Sequence, residues 1–176
     1  MDDAELERLF RTYHAPLVRY LTRRLGDRDW AEEVAQETFL RALRQDALTS
    51  ERSWLFAVAT NLVRDEARKH ERRRRHLELL AAEEQERVIE PEPTTAERAH
   101  EQAMARKAVD SLAERDRLAL LMREEGLNYE EIAEALGLSV GSIGTTLARA
   151  RRRLAESYEA LQAAERRRAG GIHGPS

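Results

Sequence analysis

Apolar residues recur every three or four positions along nearly the whole chain, and no stretch alternates apolar and polar residues for long enough to make a strand. The pattern predicts helices, and its interruptions mark where they end. Pro16 predicts a break between a helix near residues 3–13 and another near 16–25, which Gly26-Asp27 closes. Asp29 is placed to N-cap a helix running to about Arg44, and Ser53 to cap the next, from Trp54 into the arginine cluster. The clearest break is Val88 to Thr95, where Pro91 and Pro93 forbid a continuous helix. This gives an all-α chain of two small helical domains joined by a flexible acidic linker. The domains are residues 1–76, with roughly four helices, and 98–165; the linker is 77–97, and 166–176 is expected to be a disordered tail.

Helical projection assigns faces. After Asp29, a core stripe of Trp30, Ala31, Val34, Ala35, Phe39 and Ala42 leaves Glu33, Gln36, Glu37 and Leu40 on the opposite side. A leucine within an acidic face reads either as a single exposed apolar residue, which is common, or as part of a protein contact. On the following helix Asn61, Arg64, Arg68 and Arg72 line one stripe, with Trp54 and Asp65 at its border. From Asn61 to Arg72 is roughly 16 Å at 1.5 Å per residue, long enough to follow several phosphates. A solvated basic helix end is the plainer alternative for the charge run, and a core position the plainer one for Trp54.

Residues 127–143 carry the most specific signal. Ala133 is small where a second helix must approach, Gly137 follows the last apolar position of the first helix, and Ser139 can cap the next. Ile132, Leu136, Leu138 and Ile143 supply an apolar hinge. This is a helix-turn-helix, whose second helix enters the major groove. Its outer side is Ser142, Thr145, Thr146, Arg149, Arg152 and Arg153; its inner side is Val140, Ile143, Leu147, Ala150 and Leu154.

The 176 residues include 8 Gly, 4 Pro and no Cys, which excludes a disulfide scaffold, a thiol nucleophile and a thiolate zinc site. No apolar run reaches membrane-spanning length, and the acidic start is unlike a signal peptide, so a cytoplasmic location is expected. The net charge of −3 hides a pattern. Residues 1–76 carry +2, residues 77–102 carry −6, residues 103–138 carry −3 and residues 139–168 carry +4. Two basic concentrations therefore flank an acidic middle. Five scattered histidines form no metal motif, no nucleophile elbow or phosphate loop is present, and neither an enzyme nor a cofactor is expected.

Taken with these motifs, the chain resembles the extracytoplasmic-function (ECF) group of the sigma-70 family. Residues 29–42 (DWAEEVAQETFLRA) are similar to that family's region 2.2, residues 54–65 (WLFAVATNLVRD) to regions 2.3 and 2.4, and Tyr129 to Arg153 to region 4.2. The resemblance spans about residues 5–155. It implies that Glu33, Gln36, Glu37 and Leu40 dock on the β′ clamp helices of core RNA polymerase. It implies that Trp54, Asn61, Arg64, Asp65, Arg68, Lys69 and Arg72 recognise and help melt the −10 promoter element. The segment Gln45 to Arg52 resembles one that captures a flipped-out base. By the same resemblance Ser139, Ser142, Thr145, Thr146, Arg149, Arg152 and Arg153 read the −35 element. The C-terminal unit would also touch the β flap, and the acidic linker would thread channels built for nucleic acid. An anti-sigma factor is an expected partner. One departure stands out: family members often have Lys and Arg where this chain has Gly144 and Thr146, so two charged contacts are absent. The other class of reading is a stand-alone dimeric helix-turn-helix regulator, which leaves the faces of the first domain without a role.

Overall fold

The computed structural model describes residues 1–78 and 96–171, and side chains for 1–69 and 96–171. Among the described residues there are seven α-helices and no strand. Most of the expected linker, and the side chain of Arg72, lie outside them.

Helix α1 (Asp3–Leu25) opens with a capping box: the Asp2 carboxylate accepts from Glu5 N at 2.7 Å and Glu5 returns the bond to Asp2 N at 3.1 Å. It runs through Pro16 without a break, contrary to the expectation. Buried Leu9 on one side of the proline, and Leu17, Val18, Tyr20 and Leu21 on the other, tie both segments to one core. That burial outweighs the ~3 kcal/mol a mid-helix proline costs locally. The N-terminal half thus has three long helices rather than four. Gly26, at φ 71°, ends α1, and the Arg106 guanidinium packs so closely on it that a Cβ there would sit 1.9 Å away.

Helix α2 (Arg28–Leu43) is capped by Asp27, whose carboxylate accepts from Trp30 N at 3.0 Å; Asp29 lies in the first turn and is not the cap. Its inner stripe Ala31, Val34, Ala35, Phe39 and Ala42 is buried as expected. Helix α3 (Glu51–Glu78) begins before Ser53, with Trp54 N bonding Ser50 O at 2.9 Å. Ser53 is therefore inside the helix, buried, and its hydroxyl has no partner, so it caps nothing.

The C-terminal half comprises α4 (Ala96–Asp110), α5 (Glu114–Glu124), α6 (Tyr129–Leu136) and α7 (Val140–Gly170). Asn128 and Glu131 form a second capping box at the start of α6. Gly137, at φ 65°, makes the left-handed turn that releases the chain into α7. Ser139 stands at the N-cap position in extended geometry, but its side chain makes no capping bond. Helix α7 continues 31 residues to Gly170, so 166–170 are helical rather than a disordered tail. Its distal part lies along α4, joined by a hydrogen bond between the Ser111 and Ser157 hydroxyls. Leu154 packs with Leu112, Leu120 and Ala150 in a small second core.

The main core is continuous across the two halves: Leu55, Phe56 and Ala59 of α3 belong to the same buried cluster as Leu118, Ile132 and Leu147. Helix α6 lies on α3 and α5 lies against α1.

Candidate nucleic-acid interface

Three surfaces carry the residues singled out in the sequence. On α2, Glu33 and Gln36 are exposed, and Leu40 shows 54% of its surface to solvent. Glu37, half-buried, pairs with Arg41 at 3.0 Å one turn on. Sequence reasoning missed two further exposed apolar residues on α1 and α2. Leu43, the next apolar residue one turn beyond Leu40, is exposed. Phe10 of α1 is exposed as well, stacked on His14 and tilted against Phe39. Several exposed apolar side chains together, beside carboxylates, make a protein contact a better account than one stray leucine.

On α3, Asn61, Asp65, Arg68 and Lys69 are exposed and share the outer side with Arg64. Trp54 is only half-buried but packs on the core, which limits how much ring it can offer to a base. Arg64 is engaged: its Nε donates to Glu114 Oε1 at 3.2 Å. The same carboxylate oxygen accepts from Arg24 at 3.3 Å, and Arg24 also donates to Thr60 O at 3.2 Å. Arg24 is 6% exposed, and burial pulls its guanidinium below the usual arginine value. Around this point lies a cavity of about 610 Å³ lined by Arg24, Arg64, Arg68, Arg117, Glu114 and Trp30, among others.

On α7 the buried side is Ile143, Thr146, Leu147 and Ala150. Thr146, expected to face DNA, is buried, with its hydroxyl donating back to Ser142 O at 2.8 Å. It sits a single residue from Leu147, so the packing that buries one covers the other. Val140, expected on the inner side, is exposed, because at the first turn of α7 no helix covers it. Ser139 and Thr145 are exposed, and Ser142 bonds Ser139 O at 2.8 Å. Arg149 is drawn inward: its Nε and one terminal nitrogen donate to the two oxygens of Asp116 at 2.9 and 2.6 Å. Asp116 is 1% exposed, and this bidentate bond, opposed by its own burial, holds its carboxyl below the usual range. Arg153 approaches the same carboxylate at 3.8 Å, while Arg152 extends outward with Glu156 at 3.9 Å. Exposed Tyr129, under the Arg123 guanidinium at 5.8 Å, borders the start of α7. The outward cations of α7 nearest the helix-turn-helix are thus Arg151, Arg152 and Arg153, all beyond its third turn, with Arg166, Arg167 and Arg168 exposed at its far end.

Among the described residues, no group of three or more His, Asp or Glu side chains is placed to hold a metal ion, and no helix is long and apolar enough to cross a membrane.

A helix-turn-helix joined to a helical unit with one acidic-apolar face and one basic face defines a factor that touches both protein and DNA. Residues 9–73 match the family model "Sigma-70 region 2", and residues 102–154 match "Sigma-70, region 4". The chain is 32% identical over 148 residues to the ferric citrate uptake sigma factor FecI of Escherichia coli (strain K12), covering 82% of this chain and 85% of FecI. It is 30% identical over 168 residues to the RNA polymerase sigma factor YlaC of Bacillus subtilis (strain 168), covering 92% and 96%. The ECF RNA polymerase sigma factor SigE of Mycolicibacterium smegmatis is 35% identical over 150 residues, covering 80% and 57%. The chain therefore belongs to the sigma-70 family, in its extracytoplasmic-function group of RNA polymerase sigma factors. Its fold is similar to that of RpoE from Bartonella quintana, solved with the anti-sigma factor NepR, at a TM-score of 0.61 and 21% identity over 89% of this chain and 95% of that one. It is also similar to CnrH, solved with the cytosolic domain of CnrY, at a TM-score of 0.64 and 21% identity over 90% of each chain.

Proposed function

We propose that the chain is a dissociable, non-enzymatic initiation subunit that docks on core RNA polymerase through α2 and brings it to promoters with two separate DNA-reading helices. The observation that carries this is the order of surfaces: a family match on each half, with the acidic-apolar face of α2 and the Asn61-to-Lys69 face of α3 both in the first. Phe10 and Leu43 extend the docking patch around Glu33, Gln36, Glu37 and Leu40.

Asn61, Arg64, Asp65, Arg68 and Lys69 engage the −10 strand, with arginines on phosphates and the polar pair on bases. Ser142 and Thr145 approach base edges in the −35 major groove, and Arg152 and Arg153 anchor its backbone. Arg149 contributes to that reading indirectly, by fixing α7 on α5. The chain works in the cytoplasm, and an anti-sigma factor holds it off polymerase until released. Multi-round transcription by core polymerase on a matched promoter tests the reading. The expected result is dependence on this chain, with Glu37→Lys/Leu40→Ala weakening core binding at unchanged thermal stability. Failure of the unaltered chain to form a core complex overturns it.

A further inference from the structure

The end of α7 proposed above to read the −35 element is chemically sparse. Residues 140–148 contain no Asp, Glu, Asn, Gln, Lys or Arg. Their outward ridge, at helical spacings of four and three, is Gly141, Thr145 and Ala148, all exposed; the next position along it is Arg152. Val140, 46% exposed, stands beside the start of that ridge. Two of the three hydroxyls on residues 140–148 are turned to the backbone: Ser142 donates to Ser139 O and buried Thr146 to Ser142 O, each at 2.8 Å. The third, Thr145, lies on the ridge itself. Gly144 beside it has no side chain, and the nearest atom that a Cβ there would meet is Tyr129 Cε2 at 3.6 Å. A base edge therefore has room to come close. The first guanidinium, Arg149, holds both oxygens of Asp116 with its Nε and one terminal nitrogen, so that fork is not offered to a base.

We infer that this end distinguishes −35 sequences by thymine methyl groups, with Thr145 and Ala148 as the specificity-determining residues and Val140 widening their apolar surface. The site is the one proposed above; what is added is the group on the DNA that it reads. A helix-turn-helix sets the N-terminal residues of its second helix against base edges in the major groove. There, guanine is selected by the forked donors of Arg or by Lys, adenine by Asn or Gln, and cytosine by Asp or Glu. Residues 140–148 hold none of these. The group that a threonine methyl or an alanine can select is the C5-methyl of thymine, the apolar feature of the major-groove edge. From Gly141 to Ala148 is about 10 Å at 1.5 Å per residue, or about three base pairs at 3.4 Å each. The ridge thus faces a short run of pairs and takes its contacts from the thymines within it, on whichever strand each methyl lies. Arg152 and Arg153, beyond the neutral stretch, hold phosphates and supply affinity without sequence.

Methyl readout rests on the promoter-binding reading, and the two fail in different ways. Core RNA polymerase carrying the full-length chain selects from promoter duplexes with a randomised −35 segment, and the selected duplexes are remade with single-base changes. Deoxyuridine in place of thymine removes one methyl and keeps the base pair. It is expected to weaken binding about threefold to fourfold at one or two −35 positions, the scale of one methyl withdrawn from contact. A C·G pair at such a position is expected to weaken binding as well, and 5-methylcytosine there to recover it. At −35 guanines, 7-deazaguanine, which lacks the N7 acceptor, is expected to change nothing. Thr145→Ser keeps the hydroxyl and drops the methyl, so it is expected to abolish the deoxyuridine effect at one position, whereas Thr145→Val preserves it. Thr145 is exposed, so both variants are expected to melt with the parent. Selected −35 segments without thymine, deoxyuridine without effect at every position, or a larger loss with 7-deazaguanine than with any deoxyuridine each overturn methyl readout and leave the initiation reading standing. Failure of the parent to form a core polymerase complex, or of that complex to select any promoter, overturns the initiation reading and methyl readout with it.

Discussion

Helices α3 and α7 both carry arginines on a side proposed to read DNA, yet they keep those arginines in opposite ways. Arg64 of α3 is paired across the seam with a half-exposed carboxylate of the other half. Arg149 of α7 is paired within its own half with a carboxylate that solvent barely reaches. The chemistry is the same, a guanidinium on a carboxylate, but what breaking it does is not. Releasing Arg64 returns a half-exposed cation to water and leaves Glu114 with Arg24. Releasing Arg149 leaves Asp116, 1% exposed, without its bidentate partner and facing the more distant Arg153 guanidinium at 3.8 Å, a loss the packing between α5 and α7 must absorb. An arginine on a basic helix is therefore not a DNA ligand by virtue of its charge; its partner decides.

The largest expected effect tests that contrast directly. Arg149→Ala lowers the melting temperature by several degrees, whereas Arg64→Ala leaves it nearly unchanged and weakens −10 binding; thermal melts of both at pH 7 break the comparison if the two shifts are equal. The pH dependence sharpens it. Asp116 has its carboxyl value lowered in the folded chain, so the stabilisation is complete above the unfolded value of about 3.9 and is lost as pH falls through the folded one. The gap in melting temperature between the parent and Arg149→Ala accordingly narrows as pH falls below the unfolded carboxyl value.

A smaller effect separates the two helix starts of the helix-turn-helix. Asn128→Ala removes a reciprocal capping box and costs about 1 kcal/mol, while Ser139→Ala, whose side chain caps nothing, costs close to none; urea denaturation measures both. Smallest, and of opposite sign, is Gly144→Ala. An added methyl meets Tyr129 Cε2 at 3.6 Å, an ordinary contact, so the gain in helix propensity of about 0.5–1 kcal/mol appears as a higher urea midpoint.

What the sequence made legible was local. The inner stripe of α2, the left-handed turn at Gly137 and the exposure of Leu40 each follow from residues within two helical turns of one another. Pro16 misled for the complementary reason: its local penalty is real, but Leu9 and Leu17 are held by a core that no short window reveals. Asp116 is 33 residues from Arg149, and Glu125 is 106 from Arg19, so neither pairing leaves any periodic trace in the chain. The packing of α5 against α7 decides the first and its approach to α1 the second. Hence the −3 net charge understated how the charges are used, since Glu114, Glu125 and Glu131 of the acidic segment 103–138 face arginines of the N-terminal half.

The length of α7 has a mechanical consequence. At 1.5 Å per residue its 31 residues form a rod of about 46 Å, and only the first few turns belong to the helix-turn-helix. The remainder, packed along α4 and tied to Ser111 just beyond it through Ser157, projects beyond the end proposed to read DNA as a handle. A straight rod transmits angle without loss. Whatever tilts the far end near Leu161 turns Ser142 and Thr145 through the same angle, so the aim of the reading end can be set by a grip that never approaches the groove.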